Sequence, residues 1–467
     1  MPTTVKQAKK TNFRASKIMQ ITLLGHASLL INGGGVHVLM DPVFFDPFEN
    51  ELTVSCPSRR VDPKKFPPID AVLLSHGHAD HFDKRSMAEL NRETPVYLPR
   101  DPELASALGS LGFSKLRPME PSIPFSIGTL NVLPTGSRDD DEVGAVFWDD
   151  TGSVWNQVDT ATHHRMVADI FHHLNGRALD AVFCPFNPLL EYGELWLSET
   201  EFPQARYERL LEAAISSQAK TVIPASSGQR LSGRLEWLNA RVFPVSRERF
   251  LRDLRDVAPE RQGLLLNPGQ ALRLEHNEAR IVETPYATTL TDDTHLIEFH
   301  PEKAPPPPMV DLNPNEYDPK EMEQLLDELF TKGLKERLNT LLAPSLTGPL
   351  RTLWDRRATL QLSITFPENE RSWHIHSWHP ELNITQGAHP EPDYTFQYVA
   401  SELVGYIKGH FNIRGQGQMR AFRHPKGKRT HTSQEFRFSA LDPGRLFGED
   451  LYDVVDATFH WHPLIFF

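Results

Sequence analysis

The spacing of apolar residues changes character along this chain. Ala71-Val72-Leu73-Leu74 is a short unbroken apolar run and reads as a buried strand, followed by a helical period from Asp83 to about Arg92. Thr129 to Leu133 and Ala145 to Trp148 also read as strands. Between His164 and Leu174 the apolar positions Val167, Ile170, Phe171 and Leu174 fall on one helix face. A second helix is expected over Phe202 to Ser217, with Thr221-Val222-Ile223-Pro224 as the strand after it. Alternating strands and helices predict an α/β layered fold. The pattern stops at Lys303-Ala304-Pro305-Pro306-Pro307-Pro308, a polyproline spacer that builds neither helix nor ladder. Beyond it, Glu321 to Leu341 is helical, with Met322, Leu325, Leu326, Leu329, Phe330 and Leu334 at helix spacing. Thr359 to Phe366 and Ser372 to Thr385 are extended, and Pro392 to Phe396 leads into a short helix, Ser401 to Lys408. The expected organisation is a flexible arm over 1–17, a metal domain over 18–300, a Pro-rich linker over 301–317 and an α+β domain over 318–467.

Composition narrows the function classes. A chain of 467 residues exceeds a single-core domain, and 27 phenylalanines within a 39% hydrophobic content allow substantial cores. Net charge −12 argues against a nucleic-acid or anionic-membrane binder. No apolar run approaches the ~18 residues of a membrane span, so no membrane insertion is expected. The basic arm (Lys6, Lys9, Lys10, Arg14, Lys17) lacks the apolar core of a secretory signal and reads as a disordered tail. Cys56 and Cys184 are the only cysteines, which offers no disulfide framework and fits a reducing cytoplasm. Cys184, after Ala181-Val182-Phe183, reads as a small buried hydrophobe. The tail, 459–467, is apolar enough to predict docking on its own core or in a homodimer.

The chemistry concentrates in Ser75-His76-Gly77-His78-Ala79-Asp80-His81, at the C-terminal end of the 71–74 strand, where α/β folds place their active groups. His76 and His78 can share one metal ion, and Asp80 and His81, on the next bend, can reach a second. Imidazole with carboxylate suits zinc, iron or manganese. The run from Asp70 to Asp83 resembles the metal motif of the metallo-β-lactamase superfamily. With Leu24-Gly25-His26-Ala27-Ser28-Leu29-Leu30-Ile31 and Leu39-Met40-Asp41-Pro42-Val43-Phe44, it resembles the subgroup of L-ascorbate-6-phosphate lactonase and N-acylphosphatidylethanolamine phospholipase D. The resemblance spans residues 18 to 100, extending weakly to about 285, and implies an αββα sandwich holding two divalent metal ions. In the second region, the Pro392-Asp393-Tyr394-Thr395 strand, the Glu402-Leu403 helix start and the Gly409 turn resemble a sterol-carrier-protein-like domain. That implies an apolar cavity or dimer surface, beside the alternative of a plain packing domain.

Against the superfamily pattern, two ligands are missing. A third histidine would follow a strand some sixty residues after the cluster, but that place is Leu133 to Asp141, which has no histidine. A final histidine would end a later strand, where Pro224-Ala225-Ser226-Ser227-Gly228 stands. The bridging Asp falls at Val158-Asp159-Thr160. The implied ligands are therefore His76, His78 and one of Asp139, Asp140 or Asp141 (Asp139 foremost) for one ion. Asp80, His81 and Asp159 serve the other, with Asp80 and Asp159 as catalytic residues. His163 and His164 read as a solvent-facing helix start. His26 and Asp41 are expected to support ligands from behind, Asp41 through a ligand imidazole's second nitrogen. Asp83 reads as a helix cap, Arg59-Arg60 as a solvated loop, and His374 with His376 and Trp378 as an exposed strand face.

Three functions compete. A metal-dependent hydrolase acting on an ester, lactone or phosphodiester ranks first. Second is a non-haem (di)iron oxygenase or oxidase. The Val158-Asp159 hairpin and the histidine-poor late strand also resemble CMP-N-acetylneuraminate hydroxylase, but two isolated cysteines cannot hold its Rieske cluster, so an external reductant would be needed. The third is a scaffold with a decayed site. For the metalloenzyme readings the expected partner is a small-molecule substrate.

Overall fold

Successive side chains of a strand point to opposite faces, and in the N-terminal region both faces are apolar. The described residues of this computed structural model are 18–48, 52–137, 142–190, 201–275, 278–333, 358–377, 383–408 and 420–424. The expected arm 1–17, Asp139 to Asp141, the helix continuation 334–341, Trp378, the Gly409 turn and the tail 459–467 lie outside them. Ile21, Leu29, Ile31, Val38 and Met40 share one core with Val132, Ala145, Phe147, Phe183 and Ile223 of a second sheet. Their sequence neighbours face the other way. Leu24, Leu30, Leu39 and Val72 meet Met87, Leu104 and Leu108 of the helices Lys84–Ala88 and Pro102–Ser110. Val146, Trp155, Val182 and Val222 meet Met166 and Ile170 of His164–His173, Tyr207 and Leu211 of Gln204–Ser216, and Phe250 of Arg247–Val257. Three apolar layers separate four structural ones: helices, sheet, sheet, helices.

The first sheet runs in the order Glu278–Glu283, Gln270–Glu275, Met19–Gly25, Ser28–Gly33, Val36–Met40, Ala71–Leu73, Val96–Leu98, Leu116–Pro118. It is antiparallel up to Val36–Met40 and parallel beyond. The second sheet is ordered Gln262–Gly263, Thr221–Pro224, Ala181–Cys184, Ser153–Asn156, Val143–Trp148, Leu130–Gly136, Phe125–Ile127. Ser153–Asn156 pairs in parallel with Ala181–Cys184, and that strand with Thr221–Pro224. The helix after the histidine cluster is shorter than its apolar period suggests, ending at Ala88. The Arg92 guanidinium bonds the Met87 and Ala88 carbonyls at 2.9 and 3.0 Å, taking acceptors that further helical turns would use.

The C-terminal region builds a separate five-stranded sheet, ordered Asn383–Gln386, Glu370–Ser377, Leu360–Thr365, Tyr394–Val399, Arg420–Arg423. The extended run expected over Ser372 to Thr385 is thus two paired antiparallel strands. Met322 and Leu326 of Pro319–Glu328 and Leu403 of Ala400–Ile407 pack with Leu360, Trp373 and Phe396. The segment between the two regions is partly built in. Arg241 donates to the carbonyls of Pro301 (2.9 Å) and Ala304 (3.3 Å), and the buried Asp311 carboxylate accepts from Ser401 N at 3.0 Å. The prolines 305–308 have no regular structure.

Candidate metal centre

Asp41 organises the site from beneath. It ends the strand Val36–Met40 with φ 47°, in the left-handed region, and is fully buried. Its carboxylate accepts from Ser75 N and Ser75 Oγ, both at 2.7 Å, and from His81 Nδ1 at 3.0 Å. The cluster loop is therefore fastened to the neighbouring strand by its first residue and its last. Within it, His81 N and Phe82 N both donate to the His78 carbonyl, which forms the turn. Asp83 caps the following helix, accepting from Arg85 N and Ser86 N. With Nδ1 engaged by Asp41, His81 presents Nε2 inward, the arrangement that orients a ligating imidazole.

What surrounds that nitrogen is ligand chemistry. Asp159 Oδ2 lies 3.1 Å from His81 Nε2, Asp80 Oδ2 3.6 Å and His26 Nε2 3.4 Å. Asp159 follows the strand Ser153–Asn156 of the second sheet, and its side chain keeps 32% exposure, so this side of the site is open. His76 is held through Nδ1 by Ser75 Oγ at 2.9 Å, while its buried Nε2 has no hydrogen-bond partner. The His76 ring centroid is 4.4 Å from that of His78 and 4.2 Å from that of His81. Three groups have ligand atoms all within 4.8 Å of one another: His76, His78 and Glu142; His76, His81 and Asp159; His26, Asp80 and His81.

Electrostatics separates the two buried imidazoles. Burial, then the neighbouring His81 and His78, hold the His76 pKa well below the usual histidine value, which keeps its lone pair free. Burial pulls His81 the same way, but Asp80, Asp159 and the bond to Asp41 outweigh it and raise its pKa well above the usual value. Burial would raise Asp80 and Asp159, yet His81, with His26 behind it, holds both down, Asp159 to about 2. The carboxylates that favour positive charge at His81 would favour a divalent cation in the same place.

Of the residues named from sequence, the structure brings His76, His78, Asp80, His81 and Asp159 together, with Asp41 behind His81. Asp139 lies outside the described residues. Glu142 stands where a carboxylate was sought among Asp139 to Asp141. It is one residue further on, next to the strand Val143–Trp148, and Val143 N donates to the Ser75 carbonyl at 3.2 Å, which docks this strand start on the cluster loop. The signal that finds it is proximity to the strand end, since a ligand is best held where the backbone is already fixed. His26, expected behind the ligands, instead points Nε2 among them. Gln229 was not anticipated; its amide lies 3.4 Å from Asp80 Oδ2. His163 caps its helix through Nδ1, accepting from Met166 N, and His164 is exposed. Arg59 is corrected: it is buried, with its guanidinium donating to the carbonyls of Phe44 (2.9 Å) and Val43 (2.8 Å), and only Arg60 is exposed. His374, expected on an exposed strand face, is half-buried and bonds the Gly387 carbonyl through Nδ1, while the side chains of His376 and Trp378 are outside what the structure describes.

The donors fit divalent ions. They offer imidazole and carboxylate, an unpartnered buried Nε2, and a buried carboxylate fixing a neighbouring ring. Fold and site together define an αββα sandwich with ligand-bearing loops at the C-terminal ends of its parallel strands. Residues 20–180 match the beta-lactamase superfamily domain family. A UPF0173 metal-dependent hydrolase of Rubrobacter xylanophilus is 28% identical over 119 residues, 25% of this chain and 45% of that protein. Another of that description from Flavobacterium johnsoniae is 31% identical over 97 residues, 21% of this chain and 38% of that protein. The chain spans under half the length of the curated relatives it matches. Among solved structures, CmlA, a diiron beta-hydroxylase from Streptomyces venezuelae, aligns at TM-score 0.37 and 16% identity, covering 57% of this chain and 54% of that one. The isothiocyanate hydrolase from Delia radicum gut bacteria aligns at TM-score 0.39 and 15% identity, covering 55% and 99%. No helix among the described residues is long and apolar enough to cross a membrane.

Proposed function

We propose that this chain is a metal-dependent hydrolase with two divalent ions, zinc or iron with manganese as the further choice. The observation that carries the reading is the buried His76 Nε2, which has no hydrogen bond and lies 3.9 Å from Glu142 Oε1, beside a His81 Nε2 that faces two carboxylates. His76, His78 and Glu142 would hold one ion, and Asp80, His81 and Asp159 the other. Bound ions supply Lewis acidity toward a carbonyl or phosphoryl oxygen and a hydroxide at neutral pH. The protein's part is positioning. Asp41 keeps the proton on His81 Nδ1, Ser75 steadies the His76 ring, and the Gln229 amide faces Asp80. Asp159, the most open carboxylate of the set, faces the side from which a substrate would enter. The relatives named as metal-dependent hydrolases support this reaction class. An ester, lactone or phosphodiester is the proposed substrate, in keeping with the resemblance to the lactonase and phospholipase D subgroup.

Glu142 favours a second reading. It brings the carboxylates around the two ion positions to three, which shifts preference toward iron and toward a diiron oxygenase supplied with electrons by an external reductant. In either reading the C-terminal region serves as a sterol-carrier-like or packing domain, the assembly is a homodimer, and the protein works in the cytoplasm without nucleic acid. Anaerobic purification followed by elemental analysis, with oxygen-free assays on ester, lactone and phosphodiester panels, tests the choice. Two zinc ions per chain with chelator-sensitive turnover is the expected result. Iron with substrate-dependent oxygen uptake would replace hydrolysis by the second reading. Less than about a tenth of an equivalent of any metal would overturn both.

A further inference from the structure

The sandwich lacks a histidine at the end of the strand Thr221–Pro224, and its second ion position is one ligand short. We infer that His26, carried by the opposite sheet, supplies that ligand and completes the shell of Asp80, His81 and Asp159; the inference rests on the two-ion reading above. His26 is buried, in the tight connection between Met19–Gly25 and Ser28–Gly33. Its φ of 48° is one that L residues rarely adopt. That turn aims Nε2 at the second ion position: 3.3 Å from Asp80 Oδ2 and 3.4 Å from His81 Nε2, with His81 Nε2 and Asp80 Oδ2 3.6 Å apart. Ligand atoms at the usual bond lengths from a tetrahedral zinc are separated by about 3.3 Å, so the three atoms are spaced as edges of one coordination polyhedron. The late loop approaches the same place. A Cβ on Gly228 would lie 3.4 Å from His26 Cα and 3.1 Å from the Ala225 carbonyl. Backbone of the late loop therefore packs directly on His26, and the imidazole fills the side of the site that a late-strand ligand would reach. His26 Nδ1 is buried and unpartnered, so no carboxylate steadies this ring as Asp41 steadies His81.

Zinc binding to the full-length protein tests this by equilibrium dialysis on metal-stripped wild type, His26→Ala, His26→Asn and His78→Ala, with apo melting curves recorded in parallel. Wild type should take two ions. Both His26 variants should keep one tight ion and lose at least about tenfold affinity for the other, since even partners of a ligand change affinity by that much. His78→Ala should lose the ion of the His76, His78 and Glu142 group. The imidazole 15N resonance of His26 in wild type gives a readout independent of any folding defect, and it should move with the zinc equivalent that the His26 variants bind weakly. Two ions of unchanged affinity in both His26 variants, an unmoved His26 resonance, or fewer than two ions in wild type would overturn the inference. A two-ion wild type that hydrolyses nothing would sink the hydrolase reading and leave His26 as a ligand.

Discussion

The N-terminal sandwich and the C-terminal sheet both bury polar groups, and they treat them differently. In the C-terminal region the polar groups pair: Ser363 with Ser372 at 3.0 Å, Trp373 Nε1 with Asp327 at 3.1 Å, Thr395 with His424 at 2.9 Å. Every buried side-chain nitrogen or oxygen without a partner among the described residues belongs to the sandwich region, from His26 to Arg273. His26 Nδ1, His76 Nε2 and Gln229 Oε1 are among them and sit on residues of the candidate centre. An unpaired buried polar atom costs roughly 1–3 kcal/mol, and of these three it is His76 Nε2 that faces the proposed ion positions. The candidate metal centre lies in the first of these two regions.

The largest effect that would break this comparison is at His78. His78→Ala should lower turnover by about three orders of magnitude or more and remove most of the metal, while circular dichroism and melting stay near wild type. Full metal occupancy in the variant would sink the ligand assignment. Trp373→Ala is the counterpart in the other region. Emptying that fully buried site should destabilise the C-terminal core by about 3–5 kcal/mol and leave zinc stoichiometry unchanged. Denaturant curves beside metal analysis check it, and loss of metal would mean the two regions are coupled.

A smaller effect sharpens the same contrast inside the sandwich. Asp41 touches no expected ion position, yet it accepts from His81 Nδ1. Asp41→Asn keeps the shape but removes the negative charge behind the ring, and metal affinity should fall about 10- to 100-fold. Titration against a competing chelator reads this directly. An unchanged affinity would show that Ser75 alone holds the loop.

How much of this the sequence shows depends on whether a feature is local. The unbroken apolar run Ala71, Val72, Leu73 and Leu74 reports two buried faces, and the histidine cluster follows within a few residues, so strand, loop and candidate ligands are legible together. Asp159 is legible through the superfamily resemblance. Glu142 was not named because the acidic run before it draws attention to the hairpin tip, whereas its place beside His76 and His78 is set by Val143 bonding to Ser75, a contact between sheets. His26 was placed behind the ligands because sequence carries no sign of which ring nitrogen faces which neighbour. Arg59 was misjudged for a related reason: its partners are backbone carbonyls of Val43 and Phe44, and carbonyls have no residue signature. What folding brings together over long separations is what the linear pattern hides.

The same limit applies to the boundary between the regions and leads to the smallest predicted effect. The prolines suggested a spacer, but Asp311 within it is buried and accepts from both the backbone N and the hydroxyl of Ser401, at the start of the helix Ala400–Ile407. A carboxylate there satisfies an otherwise open helix-terminal amide and faces the positive end of the helix dipole. Asp311→Ala should therefore cost about 1 kcal/mol, the usual worth of such a cap, seen as a lowered denaturation midpoint of the C-terminal core with metal content and turnover untouched. A passive spacer would lose nothing on that substitution. If activity fell as well, the segment would be transmitting the state of one region to the other, and the division between a chemical half and a packing half would have to be redrawn at Asp311.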